Sequence, residues 1–87
     1  MSDVPAGVPE ATFLNFLSGL ATQGLMQLGA VANPLTGERT VNLAYARYTV
    51  ELIRVLEAKT VGHRTPEEDQ YLQALVSDLT GRLARAE

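Results

Sequence analysis

The feature that most constrains this chain is a stretch without any charged side chain, which runs from residue 11 to residue 37. A membrane-spanning helix needs about 20 mainly apolar residues, so the stretch is long enough to raise that possibility. Polar side chains interrupt it, however, and Gly19, Gly24 and Gly29 dilute it. On a helix, the polar side chains gather on one side and the aliphatic and aromatic ones hold much of the other. We therefore predict a buried amphipathic helix and expect no membrane association.

The periodicity of the apolar residues predicts an all-α chain of three helices with up-down connections, at residues 10–31, 41–60 and 66–85. Pro9 or Thr12 begins the first helix, because both residue types favour helix starts. No alternating pattern typical of strands and no internal repeat is present in the sequence.

Local signals for helix starts and ends support these bounds. Gly29 ends the first helix, and Thr40 or Asn42 caps the second. Thr65 caps the third, and Glu68 is placed to return a hydrogen bond to the backbone of the cap.

The size and composition of the chain indicate self-association. Its 87 residues predict one helical domain at residues 10–87, preceded by a flexible N-terminal arm at residues 1–9. Hydrophobic residues make up 46% of the chain, and the second helix is apolar over more than half of its circumference. One neighbouring helix cannot cover so wide an arc, so we predict a homo-oligomeric helical bundle, most simply a dimer, held through helices 1 and 2. The predicted interface residues are Leu17, Leu20, Gly24, Ala46, Val50 and Ile53.

No constellation of catalytic residues can be assembled from the sequence. His63 is the only histidine and has no partner at a useful spacing, and Lys59-Thr60 lacks the preceding glycines of a phosphate-binding loop. The chain has no cysteine and a net charge of −3, which argues against thiol chemistry and nucleic-acid binding. We therefore expect a non-catalytic cytoplasmic protein without a metal or cofactor.

Two polar loops, at residues 33–38 and 59–65, are the candidate ligand or partner sites. Helix 2 separates them by about 27 Å within one chain, since about 18 residues rise 1.5 Å each. Either each loop is only a turn, or an antiparallel dimer brings the first loop of one chain beside the second loop of the other. The candidate residues are Asn33, Thr36, Glu38, Lys59, Thr60 and His63.

Four short motifs lie along residues 12–85: Leu28-Gly29, Asn33-Pro34-x-Thr36-Gly37-Glu38, Lys59-Thr60-x-Gly62 and Thr65-x-Glu67-Glu68. Together they resemble a family of short bacterial proteins known only as a domain of unknown function. The resemblance implies a cytosolic helical protein and supplies no catalytic residues, because no activity is established for the family.

Two functional hypotheses follow from the sequence. The first is a non-catalytic homo-oligomer that acts as a protein–protein interaction or scaffold module, with itself or another protein as the partner. The alternative is a regulator that binds a small ligand or nucleotide through the two loops between its helices.

Overall fold

The computed structural model describes residues 7–87, and these residues form three helices and no strand. The helices are α1 (Phe13–Gln27), α2 (Leu43–Lys59) and α3 (Pro66–Ala86), and each of them contacts both of the others. The prediction of an all-α chain with three helices is therefore confirmed. Of the predicted arm, residues 1–6 lie outside the described part, and residues 7–9 are exposed and not helical. Residues 10–12 are also exposed and not helical, so α1 begins three residues later than predicted.

Side-chain caps determine where α1 and α2 begin. The Thr12 hydroxyl oxygen accepts a hydrogen bond of 3.0 Å from the backbone N–H of Asn15. The side-chain oxygen of Asn42 accepts one of 3.2 Å from the backbone N–H of Tyr45. Of the alternative starts, Thr12 and Asn42 are thus the caps, because each satisfies a backbone donor that the first helical turn leaves free.

The start of α3 is the capping box that the sequence predicts. The backbone N–H of Glu68 donates to the Thr65 hydroxyl at 3.1 Å, and the Thr65 N–H donates to the Glu68 carboxylate at 2.8 Å. Pro66 occupies the first helical position, where a missing N–H has no cost.

The α1 helix ends at residue 27, four residues before the end of the predicted range, and Gly29 ends it as the sequence predicts. Gly29 adopts a left-handed conformation with φ of +76°, and its N–H donates to the Met26 carbonyl at 3.0 Å. The N–H of Ala30 donates back to the Leu25 carbonyl at 2.9 Å, which completes a Schellman motif. The left-handed residue turns the chain out of the helix, so residues 28–31 cannot continue it.

The core contains side chains from all three helices, and α3 contributes four leucines spaced at three and four residues. These leucines cover one side of the α1–α2 pair. The buried apolar residues are Leu17, Ala46, Val50, Ile53, Leu72, Leu75, Leu79 and Leu83.

This core corrects the predicted interface between chains. Five of the six predicted interface residues are buried within the chain itself, and the remaining one is half-buried and packs against the same core. They are already covered by the chain's own helices and do not form an exposed surface. The five buried residues are Leu17, Gly24, Ala46, Val50 and Ile53, and the half-buried one is Leu20.

Gly24 lies where the three helices meet. A Cβ atom at this position would lie 3.4 Å from Leu79 Cδ1 on α3 and 3.4 Å from Thr49 Cγ2 on α2. Because Gly24 has no side chain, α1 approaches α2 and α3 closely within one chain.

Arg64 joins the end of α2 to the start of α3. Its guanidinium donates to the Glu57 carbonyl at 2.7 Å, to the Thr60 hydroxyl at 2.9 Å and to the Asp69 carboxylate at 2.8 Å. The planar guanidinium serves several acceptors at once, which fixes the short link between the two helices.

Candidate interaction surface

The side of α2 that faces away from α3 carries an apolar stripe. Val41, Tyr45, Tyr48 and Val55 are each more than half exposed, and Leu52 between them is half-buried. Val41 lies just before the helix, and the spacing of the other four residues, by three, four and three, places them along one side of α2. The core residues of α2 lie on the opposite side, so α2 has one apolar side that is buried and a second that is open.

The outer side of α1 is also open and carries no charge. Phe16 is 53% exposed, and Gly19 and Gln23 follow it at three and seven residues along the same side of the helix. Among residues 7–87, no atom outside the helix lies within 4 Å of a Cβ built at Gly19, so α1 is open at this position.

The two open sides meet at a cleft between α1 and α2. Gln23 and Met26 of α1 and Tyr45 of α2 line this cleft, which has a volume of about 290 Å³. The Tyr45 and Tyr48 rings stand edge to face with their centres 6.3 Å apart. We call the joined surface the hairpin face, and it consists of Phe16, Gly19, Gln23, Met26, Val41, Tyr45, Tyr48, Leu52 and Val55.

Three charged residues of α2 lie on a different side of the helix from this face. Arg47, Glu51 and Arg54 follow one another at four and three residues, and Arg47 donates a hydrogen bond to the Glu87 carboxylate at the end of α3. This hydrogen bond and the negative charge of Glu87 raise the pKa of Arg47. The chain therefore separates a charged side from an uncharged one.

The first predicted loop is a turn closed by its own side chains. The Asn33 side-chain oxygen accepts from the Leu35 N–H at 2.8 Å, and the Thr36 hydroxyl accepts from the Glu38 N–H at 3.2 Å. The Asn33 N–H also donates to the Glu38 carbonyl at 2.8 Å. Asn33 and Thr36 thus shape the loop, and they hold Leu35 at its tip with 93% of its surface exposed.

The second predicted loop uses one of its three candidate side chains internally. The Thr60 hydroxyl donates to a backbone carbonyl of α2 and accepts from Arg64. Lys59 and His63 are exposed, and within residues 7–87 their side chains form no hydrogen bond or ion pair. Val61, beside them, is 65% exposed.

The six predicted site residues therefore form two groups, one at each end of α2. The structure does not bring the two groups together within one chain, because the whole of Leu43–Lys59 lies between them. Sequence reasoning missed Leu35 and Val61, whose exposure depends on how the loops fold. Among residues 7–87, no helix has both the length and the apolar character needed to cross a bilayer.

The fold and the surface define a small all-α protein with one uncharged helical face. A family model described as "Domain of unknown function (DUF1844)" matches residues 10–85, so the chain belongs to this family. The resemblance noted in the sequence is thereby confirmed. No curated protein and no solved structure matches the chain.

Proposed function

We propose that this protein is a non-catalytic self-association module whose hairpin face binds the same face of a second copy. The observation that carries the proposal is the exposure of tyrosine, phenylalanine and valine side chains along the outer sides of α1 and α2, where Glu38 is the charged residue at the cleft between them. Large uncharged apolar patches on small proteins commonly mark interaction sites.

The area of the hairpin face is sufficient for a specific interface. A 17-residue helix is about 25 Å long, and two helices packed side by side cover a width of about 20 Å. The footprint is therefore roughly 500 Å² per copy and about 1,000 Å² for both, which is the size at which specific interfaces begin.

A second copy suits this face better than a membrane surface or a charged partner. Two identical uncharged faces meet across a two-fold axis without like-charge repulsion, although each chain has a net charge of −3. Helices that bind membrane surfaces carry Lys or Arg on their polar side, and α1 has neither.

A pair of variants tests the proposal. Tyr48→Arg places a charge at the centre of the hairpin face, and Gln73→Arg places the same charge on the exposed side of α3. Light scattering should give a dimer for the wild type and Gln73→Arg, and a folded monomer for Tyr48→Arg. Circular dichroism checks that both variants keep their helices. Equal masses for all three proteins would contradict self-association through the hairpin face.

Gly19→Arg provides an independent test from α1. Nothing lies within 4 Å of the Cβ position, and arginine has a better helix propensity than glycine, so the isolated chain tolerates this change. We expect the variant to be a monomer whose helices remain intact.

The cleft between α1 and α2 supports a second candidate function, the binding of a small polar ligand. The side-chain oxygens of Gln27, Asn33 and Asn42 already accept hydrogen bonds from within the chain. Their amide nitrogens are therefore the groups left to donate to a ligand with carbonyl, hydroxyl or phosphate oxygens. Glu38 and Thr40 complete the polar lining.

Thermal melting in the presence of nucleotides and metabolites tests this second function. A ligand present at 100 times its dissociation constant adds about 2.7 kcal/mol of stability, which raises the melting temperature measurably. Glu38→Ala should reduce the rise if the ligand binds in the cleft. A rise of unchanged size in that variant would place the ligand elsewhere.

A further inference from the structure

We propose that the two copies pair with their α2 helices antiparallel, so that Glu38 of each chain meets Lys59 of the other. This inference rests on the proposed self-association through the hairpin face and adds its orientation. It also defines a composite contact at each end of the dimer that one chain alone cannot form.

The apolar stripe of α2 is nearly symmetrical about its centre. Tyr45 and Val55 lie five residues on either side of Val50, and Tyr48 and Leu52 lie two residues on either side. A two-fold axis at the level of Val50 therefore sets each tyrosine against an aliphatic residue of the second chain. Pairing of aromatic with aliphatic side chains fills such a surface without leaving two large rings opposed.

The charges at the two ends of α2 select the antiparallel orientation. Glu38 precedes the helix and Lys59 ends it, and the 17-residue helix spans about 25 Å. The two side chains therefore cannot pair within one chain. An antiparallel dimer brings each carboxylate close to an ammonium group, whereas a parallel dimer would place like charges together.

Exposed apolar side chains lie at the same two ends. The rigid first loop presents Leu35 at 93% exposure, and the second loop presents Val61 at 65% exposure. Antiparallel pairing brings Leu35 of one chain to the end of the dimer that holds Val61 of the other. Each end then has an apolar contact beside the ion pair.

Reversal of the two charges tests the orientation. We expect Glu38→Lys and Lys59→Glu each to weaken the dimer about tenfold, because each change affects two exposed ion pairs per dimer. The double variant restores opposite charges and should return to within about threefold of the wild type. If the dimer of the double variant is weakened by the product of the two single effects, the proposed pairing is wrong.

Cross-linking provides the second measurement, since the chain contains no cysteine. Glu38→Cys and Lys59→Cys chains are mixed and treated with a short bis-maleimide. Antiparallel pairing gives cross-linked dimers in the mixture and none in either variant alone. Cross-links within each variant alone indicate parallel pairing and overturn the inference. If the wild type is a dimer and cross-links form within each variant alone, the proposed self-association holds and only the antiparallel orientation is wrong. The two proposals can therefore fail separately.

Discussion

The fully buried hydroxyl of Thr49 donates a 2.6 Å hydrogen bond to the side-chain oxygen of Gln27. The backbone carbonyl of Gln27 also accepts a 2.7 Å hydrogen bond from the N–H of Asn42. Gln27, the last residue of α1, is thus hydrogen-bonded both to Asn42, which caps α2, and to Thr49 in the middle of α2. These two bonds fix how α1 and α2 lie side by side, and therefore fix the shape of the hairpin face.

Replacement of Gln27 by methionine should destabilise the chain by about 1–3 kcal/mol, because the buried Thr49 hydroxyl loses its acceptor. Gln73→Met, on the exposed side of α3 and outside the hairpin face, is the matched control and should change the free energy of unfolding by less than about 0.5 kcal/mol. Urea denaturation followed by circular dichroism measures both. Equal stabilities of the two variants would show that the buried hydrogen bond contributes nothing.

Gly29→Ala should cost more stability than Gly37→Ala, although both glycines have a φ near +75°. The left-handed conformation costs a residue with a Cβ about 1–2 kcal/mol at either position. At Gly29 the new Cβ would also lie 2.8 Å from a methyl carbon of Val41, whereas at Gly37 nothing lies within 4 Å. Thermal melting of the two variants isolates this steric contribution, and an identical loss in both would argue against it.

Arg64→Lys should destabilise the chain by about 1–2 kcal/mol, because one ammonium group cannot reproduce the donor geometry that serves three acceptors. Arg82→Lys is the control, since Arg82 pairs with Asp78 on the exposed side of α3. Exposed pairs of this kind contribute about 0–1 kcal/mol, so this variant should unfold close to the wild type. Chemical denaturation compares the two substitutions directly.

Local features of the fold were predictable from the sequence, and contacts between distant residues were not. The capping box of Thr65 and Glu68 depends on neighbours within three residues, so its prediction is confirmed by the structure. The end of α1 was placed four residues too late, because the apolar pattern continues past the left-handed Gly29.

The candidate surface shows a different limit of sequence reasoning. Periodicity indicates that Leu17 and Ile53 are buried, but it does not reveal whether they are buried by the same chain or by another. The structure assigns both to the chain's own core. The excess apolar arc of α2 was nevertheless correctly recognised, and it now corresponds to the stripe that includes Tyr45 and Tyr48. The folded structure is what shows which apolar side of α2 is buried in the core and which is open.

The mass of the wild-type protein in solution tests the central proposal most directly. Sedimentation equilibrium over a range of micromolar concentrations should give a species of about twice 9.4 kDa, which dissociates only on dilution. A helical protein that remains at 9.4 kDa throughout that range would contradict self-association through the hairpin face.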